Sequence, residues 1–344
     1  MTTNPNGATT AKTAVKALTA IIFLTFVTYP VFFVLYRIMI FQTVPRDDYA
    51  PYLLWIIGAP GGALAGSPYI YRYLSLLPAW PLYHLLPVFR LTNIPATLSI
   101  PYQRATAALA MLSDIAAIAS AVLTFDIAKR IGKTTLVAIL SATLVYGGCW
   151  FTQIEGIDTV TIFGVVLVVA LLRAHDRYFI TLVVLAFVNE KIAIIAFLFL
   201  LIRCATSTED WNLLHRKLAI SALALVTYAG AVWFIHAGGN AYQLTPSGYL
   251  PNFINNIEVN LSFRGILLSW APSGLLLVLA LIGSHDYQPG SFRRRDAFLV
   301  PALIVVALTL TEDFQVGRVV MMSIPLFAIP AAERLASLLD QRTQ

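Results

Sequence analysis

Charge is what this sequence has least of. Charged residues fill 12% of its 344 positions, against about 25% in a soluble domain. Hydrophobic residues make up 58%, and the mean hydropathy is +0.77. An ordinary water-soluble domain is excluded. The apolar runs are near spanning length and do not alternate, which excludes a β-barrel. Cysteine is nearly absent too. Cys149 and Cys204 are expected on opposite sides of a membrane, where they cannot pair. The histidines, His84, His175, His215, His236 and His285, make no metal-ligand spacing. No P-loop lysine follows the glycines at 58, 61, 62 and 66. No serine is paired with a histidine in a recognisable nucleophilic arrangement. Internal repeats, low-complexity segments and a soluble domain are missing as well. The net charge of +6 is spread among loops, which argues against nucleic acid as a partner.

What is present reads as an all-α, polytopic transmembrane helix bundle. It is expected to be a single domain over 1–344, with about ten membrane segments. Lys12 and Lys16 precede the first apolar run, about 18–40, and no small-residue cleavage site ends it. That run is expected to stay as an anchor, with the N-terminus cytoplasmic. The second span, about 104–128, ends in Lys129-Arg130 and Lys133, which puts its end inside. Spans of about 134–152 and 159–173 follow, joined by an outer turn that contains Glu155 and Asp158. The stretch 178–202 fits either one long helix or a hairpin of two short ones. Only the hairpin keeps Arg203, Arg216, Lys217 and Arg293-Arg294-Arg295 inside. Its tip is Asn189-Glu190-Lys191, and half-length helices are tolerated where they line a cavity. Spans of about 218–235, 265–282, 297–310 and 319–337 complete the bundle, so both termini are cytoplasmic. The outer loops 42–103 and 236–264 are the large ones.

The first outer loop opens with Arg46-Asp47-Asp48. Adjacent carboxylates at a membrane surface are costly unless they bind or react with something; the plain alternative is the start of a wet loop. Positions 49–68 are rich in aromatics, proline and glycine, which predicts a mobile or tightly turned segment. Tyr69-Ile70-Tyr71-Arg72-Tyr73 suits a membrane interface. The apolar stretch 77–89, broken by Pro78, Pro81 and Pro87, is too short to span and is expected to be interfacial or re-entrant. Arg37, Arg90 and Arg264 read as snorkelling interfacial residues. Lys191 either pairs with Glu190 or faces an anion that Glu190 helps to orient. Asp126 is expected to pair near Lys129 and Arg130. Asp114 lies deeper, with no partner apparent from the sequence.

The layout resembles that of the GT-C superfamily, polytopic glycosyltransferases that use polyprenyl-phosphate sugars. The likeness lies in the acidic pair Asp47-Asp48 after the first span, Arg72 in its Tyr-Arg-Tyr-Leu context, and the acidic turn Glu155 to Asp158. The short hairpin with Glu190-Lys191, and Glu312 to Arg318 ahead of the Pro325 span, complete it. The chain is short for that family and lacks the soluble C-terminal domain of many members. The resemblance implies transfer of a sugar to an acceptor on the outer face, with inversion and with Asp47 or Asp48 as base, Asp48 first. Arg72, Lys191 and Arg318 would neutralise the leaving phosphate, with Arg104 in reserve; Glu190, Asp158, Glu155 and Glu312 would support them. Some relatives hold a divalent metal, Mg or Mn, at the acidic pair. Nothing in this sequence requires one, since two carboxylates are fewer ligands than a protein-dominated site wants. The partners implied are a lipid-linked sugar donor, a lipid or glycan acceptor and membrane lipids. The short chain leans towards a bacterial inner membrane and glycolipid or cell-envelope assembly. The competing expectation is a transporter or flippase of a lipid-linked sugar or small anion.

Overall fold

The computed structural model describes residues 50–58, 73–85, 100–153, 158–171, 178–206, 211–236 and 320–341, and a few positions between 254 and 263. These residues are helical, and no strand occurs among them. In chain order the helices are α1 (Ala50–Ile57), α2 (Tyr73–Leu76), α3 (Ala79–Leu85), α4 (Ile100–Arg130) and α5 (Thr135–Gln153). They continue with α6 (Asp158–Leu171), α7 (Tyr178–Val188), α8 (Glu190–Thr206), α9 (Trp211–His236) and α10 (Ile324–Gln341). One described helix, α4, is long and apolar enough to cross a membrane; α5 and α6 contain shorter apolar stretches. The expected first, eighth and ninth spans lie outside the described residues.

Alanine-rich sequence makes α4 a strong helix, and its end is set by backbone chemistry. Gly132 takes a φ of +80°. Its N–H donates to Lys129 O at 3.1 Å, and the Lys133 N–H donates to Ala128 O at 3.0 Å. That double bond closes a helix through a left-handed glycine. Thr134 then caps α5, its hydroxyl accepting from the Val137 N–H at 3.3 Å. The turn between α4 and α5 is therefore tight, and the two helices pack extensively on each other. Arg130 pairs with Asp126 one turn back at 2.6 Å, as their spacing predicts. Lys133 forms an ion pair with Glu333 of α10.

Residues 320–323 and the first half of α10 are the most completely buried stretch among the described residues. Val320, Met322, Ser323, Ile324, Phe327, Ala328, Ala331 and Ala332 are fully buried. A helix covered on all sides belongs in the middle of its fold. It packs on α5 and α6, and Gly148 of α5 lets Ile324 approach so closely that an added Cβ would lie 2.7 Å from Ile324 Cδ1. Buried hydroxyls along the helices bond to their own backbone one turn back: Ser120 to Ala116 O, Thr124 to Ser120 O, Ser141 to Val137 O and Ser221 to Lys217 O. Such back-bonding gives each hydroxyl an acceptor within its own helix.

Gly164 of α6 makes a still closer contact, with Ile192 of α8. Gly164→Leu is expected to lower stability by about 1–3 kcal/mol through overpacking. Gly147→Leu is the control, because nothing lies within 4 Å of a Cβ there. The comparison reads as a lower thermal midpoint for the first variant and little change for the second.

One expectation is overturned. Residues 50–57 are not a turned or mobile stretch but helix α1, closed by Gly58 at φ +72°, whose N–H donates to Trp55 O at 3.0 Å. Pro51 in the first turn and glycine just past the end are helix signals, and they outweigh the glycine and proline density of the wider segment.

Candidate functional site

The two ends of the bundle are built differently. At one end lie the α4–α5 turn and the Lys133–Glu333 pair. At the other, α1 and α3 lie on the first turns of α4, and α2 packs against α7. Tyr52, Leu53 and Ile56 of α1, Leu76 of α2 and Ala79 of α3 are buried with Ala105, Leu109 and Leu112 of α4. Val160 of α6 packs against the same cluster. The segment expected to be interfacial thus forms α3. Leu77, Trp80 and Leu85 around it are more than half exposed. Its rings cluster, with Trp80 and Tyr83 each edge-on to His84.

Below these short helices, four contacts fall within about one helical turn of a common depth. Tyr146 of α5 stands beside the Asp114 carboxyl of α4. Gly148 meets Ile324 at the start of α10. The Thr159 hydroxyl of α6 donates to Cys149 O at 3.4 Å. Asn189 Nδ2 donates to the Thr161 hydroxyl at 2.8 Å. Helices α6, α8 and α10 all begin near this level, so three helix N-termini share it.

Asn189 explains why 178–206 is two helices rather than one rod. Its Oδ1 accepts from the Lys191 N–H at 3.0 Å, the N-cap bond that starts α8. Its amide is spent on Thr161, and the residue is fully buried. Helix α7 reaches the level of Thr161, and α8 then passes Gly164, one turn further along α6. The expected break at Asn189-Glu190-Lys191 is found there, and Phe187 at the end of α7 stacks edge-on against Tyr228 of α9. Asn189→Ala removes the cap, about 0.5–2 kcal/mol, and the bond to Thr161, about 1 kcal/mol more. Thr161→Val removes only the second. A thermal midpoint that falls further for Asn189→Ala than for Thr161→Val is the expected result.

The residues singled out from the sequence divide in two. Lys191 and Glu190 are half-buried in the first turn of α8. Asp158 opens α6. Arg104 is half-buried near the start of α4, almost three turns from Asp114. No contact brings Arg104 to Lys191. Asp47, Asp48, Arg72, Glu155, Glu312 and Arg318 lie outside the described residues. The acidic pair, where the resemblance would put a metal, is among them. Among the described residues no three His, Cys, Asp or Glu side chains come together to hold a metal ion. The sequence singled out Asp114 without a neighbour; the structure supplies Tyr146, thirty-odd residues away on the next helix. No protein-family model, curated protein or solved structure matches the chain.

Proposed function

We propose that the chain is a polytopic membrane glycosyltransferase. It moves a sugar from a polyprenyl-phosphate donor to a lipid or glycan acceptor on the non-cytoplasmic face, with inversion. The observation that carries this reading is the helix start at Asn189. It presents Glu190 and Lys191 at the level where α6 and α10 also begin, on the side of the bundle that α1–α3 cover. Helix N-termini and a lysine favour a phosphate. The Lys133–Glu333 pair supports the charge-based topology, in which Lys133 and the end of the 319–337 span share the cytoplasmic side. Ile115, Ile139, Ile180, Leu223 and Val226, on four helices, are more than half exposed. So many bare apolar side chains suit lipid rather than water.

In this reading Asp48, or Asp47, takes the proton of the acceptor hydroxyl. Lys191, Arg72 and Arg318 stabilise the leaving phosphate, with Arg104 in reserve. Glu190, Asp158, Glu155 and Glu312 orient them. The active site faces outward, both termini are cytoplasmic, and a bacterial inner membrane is the expected home. The broken helix also favours a second reading, a flippase of lipid-linked sugar, since transporters bind substrate at interrupted helices. Proteoliposomes containing the chain, a polyprenyl-phosphate sugar and an acceptor lipid separate the two. A new glycosidic bond supports the transferase. Passage of the sugar lipid across the bilayer without bond formation supports the flippase and ends the transferase reading.

A further inference from the structure

Asn189 spends its backbone and both ends of its amide within the protein. Its N–H donates to Leu185 O at 3.0 Å, and its carbonyl accepts from the Ile192 N–H at 3.0 Å. Its Oδ1 accepts from the Lys191 N–H, and its Nδ2 donates to the Thr161 hydroxyl. Asn189 and Thr161 are both fully buried, where an amide and a hydroxyl are costly unless they bond. A serine or an aspartate caps a helix as well as asparagine does. The cap alone therefore does not call for an amide; the bond to Thr161 uses it.

Thr161 is itself held in place. It lies in the first turn of α6, next to Val160, which packs with the cluster of α1–α4. Two residues before it, the Thr159 hydroxyl reaches Cys149 O of α5. Three residues after it, Gly164 receives Ile192. Asn189 and Ile192 are also three residues apart, so α6 and α8 run side by side in one direction here. Lys191 is thus tied at its own N–H by Asn189 and, one residue later, by the contact of Ile192 with Gly164.

Resting on the glycosyl-transfer reading, we infer that Thr161 is a positioning residue for the donor phosphate. Acting through Asn189, it sets where Lys191 leaves the backbone, and so where the ammonium meets the phosphate. A lysine carries its charge on a flexible four-carbon stem, so the charge is well placed only if the base of the stem is fixed. Loss of the Thr161 hydroxyl frees the Asn189 amide to turn and loosens its bond to the Lys191 N–H. It removes no group that touches the donor.

The test measures binding of polyprenyl phosphate to the full chain in nanodiscs, beside the thermal midpoint of each variant. Thr161→Val should weaken binding about three- to tenfold, and Thr161→Ser, which keeps the hydroxyl, should restore it. Asn189→Ser keeps a capping oxygen but has no amide. It should weaken binding as Thr161→Val does, and it carries the test if Thr161→Val does not fold. Combined with Lys191→Ala, Thr161→Val should cost nothing further, because it acts through the lysine. A lower midpoint with unchanged binding in Thr161→Val and Asn189→Ser overturns the assignment while sparing the transferase reading. So does an equal loss from Thr161→Val with and without Lys191. A loss as large in Lys133→Met, a change at the far end of the bundle, also overturns it, because the effect is then one of stability. An unaffected Lys191→Ala variant removes the lysine's role and the assignment together. An unaltered chain that binds no prenyl phosphate removes the whole reading beneath them.

Discussion

Asp48→Asn is expected to slow glycosyl transfer by about 10²- to 10⁴-fold, the usual contribution of a positioned general base. The amide keeps the size and hydrogen-bonding shape of the acid but cannot take a proton at neutral pH. Donor affinity should hold, because the loss falls on a group that acts in the transition state. Asp47→Asn separates the members of the pair: the base is the one whose amide costs more. The fold should tolerate both changes. They precede α1, whose attachment to α4 runs through Tyr52, Leu53 and Ile56. Rates are read as labelled sugar transferred to acceptor lipid in proteoliposomes, beside donor binding and the thermal midpoint of each variant. Full activity in both variants refutes the base assignment.

Lys133→Met is expected to cost far more stability than Arg130→Met at the same end of the bundle. The Lys133 and Glu333 side chains are only 14% and 17% exposed. Removing the lysine strands a covered carboxylate. The cost lies between about 1 kcal/mol for an exposed pair and about 3–5 kcal/mol for a fully buried one. The double change Lys133→Met with Glu333→Gln should recover much of it, since the stranded charge is then gone. Arg130→Met, whose partner sits on the same helix and whose side chain is 74% exposed, should cost only about 0.2–0.5 kcal/mol. Thermal unfolding of the four proteins in one detergent checks the order. Equal midpoints for Lys133→Met and Arg130→Met would mean that the pair does not clamp α10.

Charge made a part of the described architecture legible. Lys129, Arg130 and Lys133 marked one end of α4 and α5, and the parity of basic clusters demanded a break near Asn189, where one is found. Asp126 found Arg130 because their spacing is local. What stayed hidden needed register between helices. Nothing in the sequence says that Tyr146 faces Asp114, or that Gly164 receives Ile192. The place of α10 was hidden for another reason: a uniformly apolar run looks the same whether protein or lipid surrounds it. Helix α1 was obscured by the glycines that follow it, although Pro51 and Gly58 mark its ends.

The burial of 320–332 also bears on biosynthesis. Ribosomes deliver a chain in order, so α4 to α9 are made before the segment that fills their shared interior. Until α10 arrives, Gly148 and its neighbours on α5 lack the cover that Ile324 gives them. Released chains truncated before residue 320 should therefore be more protease-sensitive than the full chain.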